Sequence, residues 1–202
     1  FMTLNQKSKE SALGLSKEAL EMRLTGHIGI GMKYQIESAF ENTSVVRQLS
    51  QTQKKKILVL THDYYDNPHG YSRLPFRDFW EWLSFLSVVS GQTDYEWYIK
   101  CHKDYSLLEI GETKKFIEEN PNFKMIDPVT SFHQLSSEGI DLALTCFGTV
   151  GHELPLLGIP VVNAGHNPHI SYNFNLHAPS LEGYREILRN SNTWKLNDMK
   201  IS

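Results

Sequence analysis

Apolar residues fall along this chain in short unbroken runs, and between the runs they recur at helical spacing. The runs cover residues 57–61, 96–99, 124–126, 141–146 and 159–162. Runs this short, without polar alternation, mark strands buried on both faces of a parallel sheet. Residues 76–89, 107–119 and 132–135 lie between them and read as helices, with Trp80, Leu83 and Phe85 among the apolar contacts of the first. Ser180, followed by Leu181 and Glu182, marks a capped helix start that runs through Leu188. Strands alternating with helices predict an α/β fold with a mostly parallel sheet covered on both faces.

The chain up to about residue 55 is different: it is helical in character and lacks strand alternation. Residues 16–24 have an acidic first turn and apolar positions at helical spacing, which predicts a helix. Gly26, Gly29 and Gly31 then interrupt it. A glycine triplet signals a phosphate loop when a buried strand precedes it; none does, so this one reads as a turn between helices. A second helix is predicted over 34–49, and the polar stretch 50–56 is the linker candidate. The chain thus divides into a helical appendage with its linker over 1–55 and an α/β domain over 56–202. Phe1 ahead of Met2 reads as a cloning remnant, and on that reading the chain is a piece of something longer.

Composition narrows the classes. A chain of 202 residues, 40% hydrophobic and 21% charged, can bury a full core and has the make-up of a soluble globular protein. A net charge of −3 gives no global basic field for nucleic acid or an anionic membrane. The run Lys54-Lys55-Lys56 reads as a solvated linker end. Cys101 and Cys146, each ending a predicted strand, give no disulfide framework and suit a reducing cytoplasm. No apolar run approaches the length of a membrane span, and no signal peptide is visible.

The chemistry concentrates between the last two runs, from Gly148 to Gly158. The order there is strand, glycine-bearing turn, short helix, strand, which aims free amide groups and the positive helix end above the carboxyl edge of the sheet. Gly148 lets a ligand approach the backbone, Val150 follows in the turn, and Thr149 offers a hydroxyl at the predicted N-cap. Glu153 lies four residues past Thr149, one more than a capping box needs, and shares its helix face. A carboxylate there repels phosphate but accepts hydrogen bonds from a ribose. The plain alternative is a strand–helix turn with a glutamate favoured by the helix dipole.

The pattern of Gly148, Thr149, Gly151, Glu153, Gly158, Pro160, Val161 and Val162 resembles the nucleotide-binding half of GT-B glycosyltransferases. The resemblance implies that the glycine–hydroxyl turn meets the phosphate and that Glu153 holds the nucleotide's ribose. Pro155 stands where such helices continue with alanine; it removes one donor and is expected to kink or delay the helix. Lys100 and His102 leave one strand end on the same side, where two potential cations call for solvent or an anion. The stretch from Lys100 to Lys103 resembles the Lys-Pro-His-Pro element of bacterial capsule and sialic-acid-type glycosyltransferases, with Cys101 and Lys103 in place of the prolines. That resemblance implies phosphate contacts from His102 and Lys100, completed by the Thr149 hydroxyl.

More broadly, residues 56–190 are similar to bacterial surface or capsular polysaccharide biosynthesis proteins, on His62 and Asp63, residues 97–102, and residues 148–175. This implies that His166, Asn167 and His169 lie near the site. Asp63 and His69, in the loop after the first strand, are candidates for acid–base work, although such residues are also ordinary turn formers. His152 either lines the pocket or packs beside it. His166 and His169 are the pair that invites a metal, and their spacing suits a helix, but Asn167 and Pro168 disfavour a helix there and no zinc pattern accompanies them.

The expectation is therefore a Rossmann-like three-layer domain of GT-B type behind a helical appendage. The resemblance implies transfer of a sugar from a nucleotide-sugar donor to a surface or capsular glycan acceptor, with His102 at the departing phosphate and no metal or cofactor beyond the donor substrate. It implies a second, N-terminal GT-B domain supplying the acceptor's base, without which donor binds but transfer is poor. It also implies a cytoplasmic place, with the cytoplasmic face of the inner membrane as a site of peripheral association. A sugar-nucleotide 2-epimerase of the same architecture and a non-catalytic binding module of a polysaccharide pathway are the alternatives.

Overall fold

The structure is a computed structural model that describes residues 3–27, 38–41, 46–64, 74–102, 107–166, 170, 172–178 and 180–196. Gly29, Gly31, His69, Lys103, Asn167, Pro168 and His169 lie outside the described residues. Six parallel strands make one sheet: β1 (Lys56–Leu60), β2 (Glu96–Lys100), β3 (Phe123–Met125), β4 (Leu142–Thr145), β5 (Val161–Asn163) and β6 (Leu176–His177). Their order is β3-β2-β1-β4-β5-β6, with Ile57 level with Trp97 on one side and Leu142 on the other. This is the strand order of a Rossmann sheet.

Strand β1 shows why the apolar runs are unbroken. Ile57 and Val59 join a core with Trp82, Leu83, Leu86, Trp97 and Leu188, while Leu58 and Leu60 join another with Tyr98, Phe132, Leu135 and Leu154. Successive side chains of a strand face opposite ways, and here both ways lead to a buried layer. The first layer is supplied by α2 (Phe79–Ser90), α3 (Leu107–Glu119) and α6 (Leu181–Arg189), the second by α4 (Phe132–Glu138) and the turns beyond α5 (Val150–Glu153).

Caps set the helix boundaries. α2 starts at Phe79 rather than 76 because the Asp78 side chain accepts from the Glu81 amide. Ser131 and Ser180 cap α4 and α6 in the same way. Strand β3 is displaced by one residue from the predicted 124–126, since the run is too short for its ends to be read. β6 was not predicted; two residues leave no pattern to detect.

The N-terminal part holds α1 (Gln6–Leu24), longer than the predicted 16–24 because Asn5 caps it from the Ser8 amide. The helix predicted over 34–49 fails at its described positions: residues 38–41 and 46–49 are turn or irregular chain. Phe40 and Leu49 are instead buried singly in the second core. The stretch before β1 is tied to the sheet, with Ser50 bonded to Glu96 and Tyr98.

Candidate functional site

In this strand order β1 and β4 are neighbours from which the connections run to opposite edges. A crevice opens outside the strand ends at such a switch point, and open α/β sheets bind ligands there. A cleft of about 120 Å³ occupies this place, lined by Thr61 and His62 after β1, Lys100, Cys101 and His102 at the end of β2, and Thr145, Gly148, Thr149 and Val150 after β4. Leu60 at the end of β1, Glu153 of α5, Phe132 of α4, Arg23 of α1, and Ala39 complete it. The two strand tips singled out from sequence therefore share one cleft, and six predicted residues meet there: Lys100, His102, Gly148, Thr149, Val150 and Glu153.

His62 organises the wall between β1 and β4. Its Nε2 accepts from the amides of Cys146 and Phe147 at 3.1 and 3.2 Å. An atom accepting from two amides carries no proton, so the Thr145 hydroxyl, 3.0 Å away, also donates to it and the imidazole proton resides on Nδ1. The Thr145 oxygen in turn accepts from the Gly148 amide at 3.1 Å. The ring is stacked on Phe79 at 4.8 Å.

This network takes up part of the predicted anion cradle. The amides of Cys146, Phe147 and Gly148 are engaged within the protein, and α5 is a single turn of four residues, too short for a substantial dipole. Pro155 is the reason: it sits in the Leu154–Leu157 3-10 turn that replaces the helix, closed by Gly158 at φ 80°. Thr149 stands at the predicted N-cap position, but its backbone is already α-helical and its side chain makes no cap bond. Gly148 also answers a packing demand, since a Cβ there would stand 2.7 Å from Thr145 Oγ1.

The charged residues are also more engaged than their positions imply. Lys100 is 3% exposed, its Nζ donates to the Pro128 carbonyl at 2.7 Å and it lies 5.4 Å from the centre of the Phe132 ring. Glu153 is 2% exposed, and its Oε1 accepts from Arg23 Nε at 2.9 Å. Its Oε2 is buried and makes no hydrogen bond of ordinary geometry, although the Thr149 hydroxyl lies near enough to the carboxylate to favour its charge. Burial raises the Glu153 pKa above the ordinary carboxyl value; the Arg23 charge and hydrogen bond, the charge of His102 and the Thr149 hydroxyl act against that rise. His102 is half-buried.

Asp63 and His152 are half-buried and His166 is exposed, and the cleft lining includes none of the three. Burial, then the Arg23 charge, lowers the His152 pKa from its ordinary value. His69, Asn167 and His169 lie outside the described residues. Arg23 and Thr145 are the residues that sequence reasoning missed. Thr145 is the last residue of a strand read only for its apolar run, and Arg23 lies 130 positions from its partner on a mostly exposed helix. Among the described residues no helix is long and apolar enough to cross a membrane. No protein-family model matches the chain, and no curated protein matches it.

Proposed function

We propose that the chain is the nucleotide-binding half of a GT-B glycosyltransferase, which moves a sugar from a nucleotide-sugar donor to a surface or capsular glycan. The observation that carries this reading is the buried Glu153 carboxylate in a cleft at the β1–β4 switch point, with one oxygen anchored and the other unpaired. An acceptor-only group with an unmatched oxygen suits a ligand that brings hydroxyl donors, and a ribose brings two. Lys100 and His102, on the neighbouring wall, supply positive charge toward the phosphate. As the acceptor hydroxyl gives up its proton to a base of the second GT-B domain and its oxygen bonds to the anomeric carbon, the bond from that carbon to the phosphate oxygen breaks. The electron pair leaves with the nucleoside phosphate, and cations fixed beside it stabilise that charge.

The loop after β1 disfavours the other common occupant of such a sheet. A dinucleotide site needs closely spaced glycines there, whereas Thr61, His62, Asp63 and Tyr64 follow β1 directly. Titration calorimetry of the 202-residue chain with uridine and cytidine diphosphates, beside inorganic phosphate, tests the reading. Saturable binding of a nucleotide, weakened about tenfold or more in Glu153→Gln with phosphate affinity unchanged, is the expected result. No nucleotide binding by the wild-type chain overturns it. Incubation with a nucleotide sugar alone separates a 2-epimerase, which alters the donor without an acceptor.

A further inference from the structure

Helix α1 buries one residue of its nineteen, and that residue is the charged Arg23. Leu13, Leu15 and Met22 on the same helix are exposed. The Arg23 guanidinium sits 5.5 Å from the centre of the Phe40 ring while Nε holds Glu153 Oε1. One residue on, the Leu24 carbonyl accepts from His133 Nε2 at 2.7 Å, so the end of α1 is held where Arg23 enters the cleft. Apolar residues would pin a helix end at lower cost, because a buried ion pair forfeits the hydration of both partners. Pinning also gives no reason for the second carboxylate oxygen, which is buried and unbonded. Anchorage of Oε1 and reservation of Oε2 for a ligand account for both facts together.

We propose that Arg23 is a positioning residue of this site: it fixes Glu153 through Oε1 so that Oε2 accepts from a hydroxyl of the bound nucleotide's ribose, which makes α1 part of the ligand site. The proposal rests on the nucleotide reading above. Without the guanidinium, burial favours the neutral carboxyl, and a protonated oxygen donates where the site needs an acceptor. The residue then acts on which ligand is preferred, beyond holding the fold.

The test compares a nucleoside diphosphate with its 2′,3′-dideoxy counterpart, using uridine and cytidine diphosphates on the full chain by titration calorimetry. The wild type is expected to prefer the ribose form by about tenfold or more, the usual effect of leaving a buried acceptor unmatched. Arg23→Met is expected to reduce the preference to about twofold or less, and Arg23→Lys, which keeps the charge but not the fixed Nε donor, to a value between. A purely structural role would lower affinity for both ligands equally and leave the preference intact. Arg23→Met or Arg23→Lys discriminating as the wild type does overturns the proposal while the nucleotide reading stands. If Arg23→Met does not fold by circular dichroism, Arg23→Lys alone decides. A wild-type chain that binds neither ligand overturns the nucleotide reading and this proposal with it.

Discussion

The cleft wall at the end of β4 depends on single atoms. Gly148 is held with its α-carbon beside the Thr145 hydroxyl, and an added Cβ would meet Thr145 Oγ1 at 2.7 Å and Val150 Cγ2 at 3.1 Å. The hydroxyl cannot retreat without releasing His62, to which it is bonded. Gly148→Ala is therefore expected to lower stability by about 1–3 kcal/mol, measured by urea denaturation, the usual range for forcing a methyl group into a packed site. A loss under ~0.3 kcal/mol would mean that the wall yields freely. At this scale the sequence brought six residues of one cleft to notice without showing what holds them in place. Gly148, Thr149 and Glu153 were legible because a turn between two buried strands exposes few alternatives. The long-range bonds around them were not, because Arg23 reaches Glu153 from 130 positions away and His62 reaches Thr145 from 83, and no local pattern encodes a contact of that kind.

Elements were legible in proportion to how much they bury. The runs at β1, β2 and β4 stood out because both faces are covered, and α3 was placed at Leu107–Glu119 as predicted. β6 and the irregular chain around Phe40 and Leu49 were not, since one is two residues long and the other is buried by isolated side chains rather than by a period. Helix α4 ties several of these parts together: Phe132 lies beneath Lys100, and His133 holds the end of α1. Its first turn depends on Ser131, fully buried, whose hydroxyl accepts from the Gln134 amide at 3.2 Å. Ser131→Ala leaves that amide without its cap and is expected to cost about 1–2 kcal/mol. Urea titration should show a lower midpoint with unchanged slope; an unchanged midpoint would show that the cap contributes nothing.

Across the molecule, Glu96 joins the chain before β1 to the sheet. Burial opposes its charge, but hydrogen bonds from Ser50, Thr52 and Tyr98 and the Lys124 charge outweigh that and hold its pKa at about 2, below the ordinary 4.5. A carboxyl depressed in the folded state stabilises that state above its unfolded value and ceases to do so as pH falls through the folded one. Acid should therefore weaken the protein between about pH 4.5 and 2, and Glu96→Gln should flatten that part of the stability profile. Equal acid sensitivity of wild type and variant, followed by denaturant midpoints at several pH values, would remove Glu96 from the account. The fold class was readable at this scale from strand and helix alternation alone, whereas the chain before residue 56 gave no sign that Phe40, Leu49 and Arg23 would be built into the domain. The knot of His62, Thr145 and the amides that follow is formed within the protein itself. An incoming molecule therefore meets a finished mould on that side. The facing wall is closed from a distance, by one guanidinium carried in from a helix otherwise bathed in solvent.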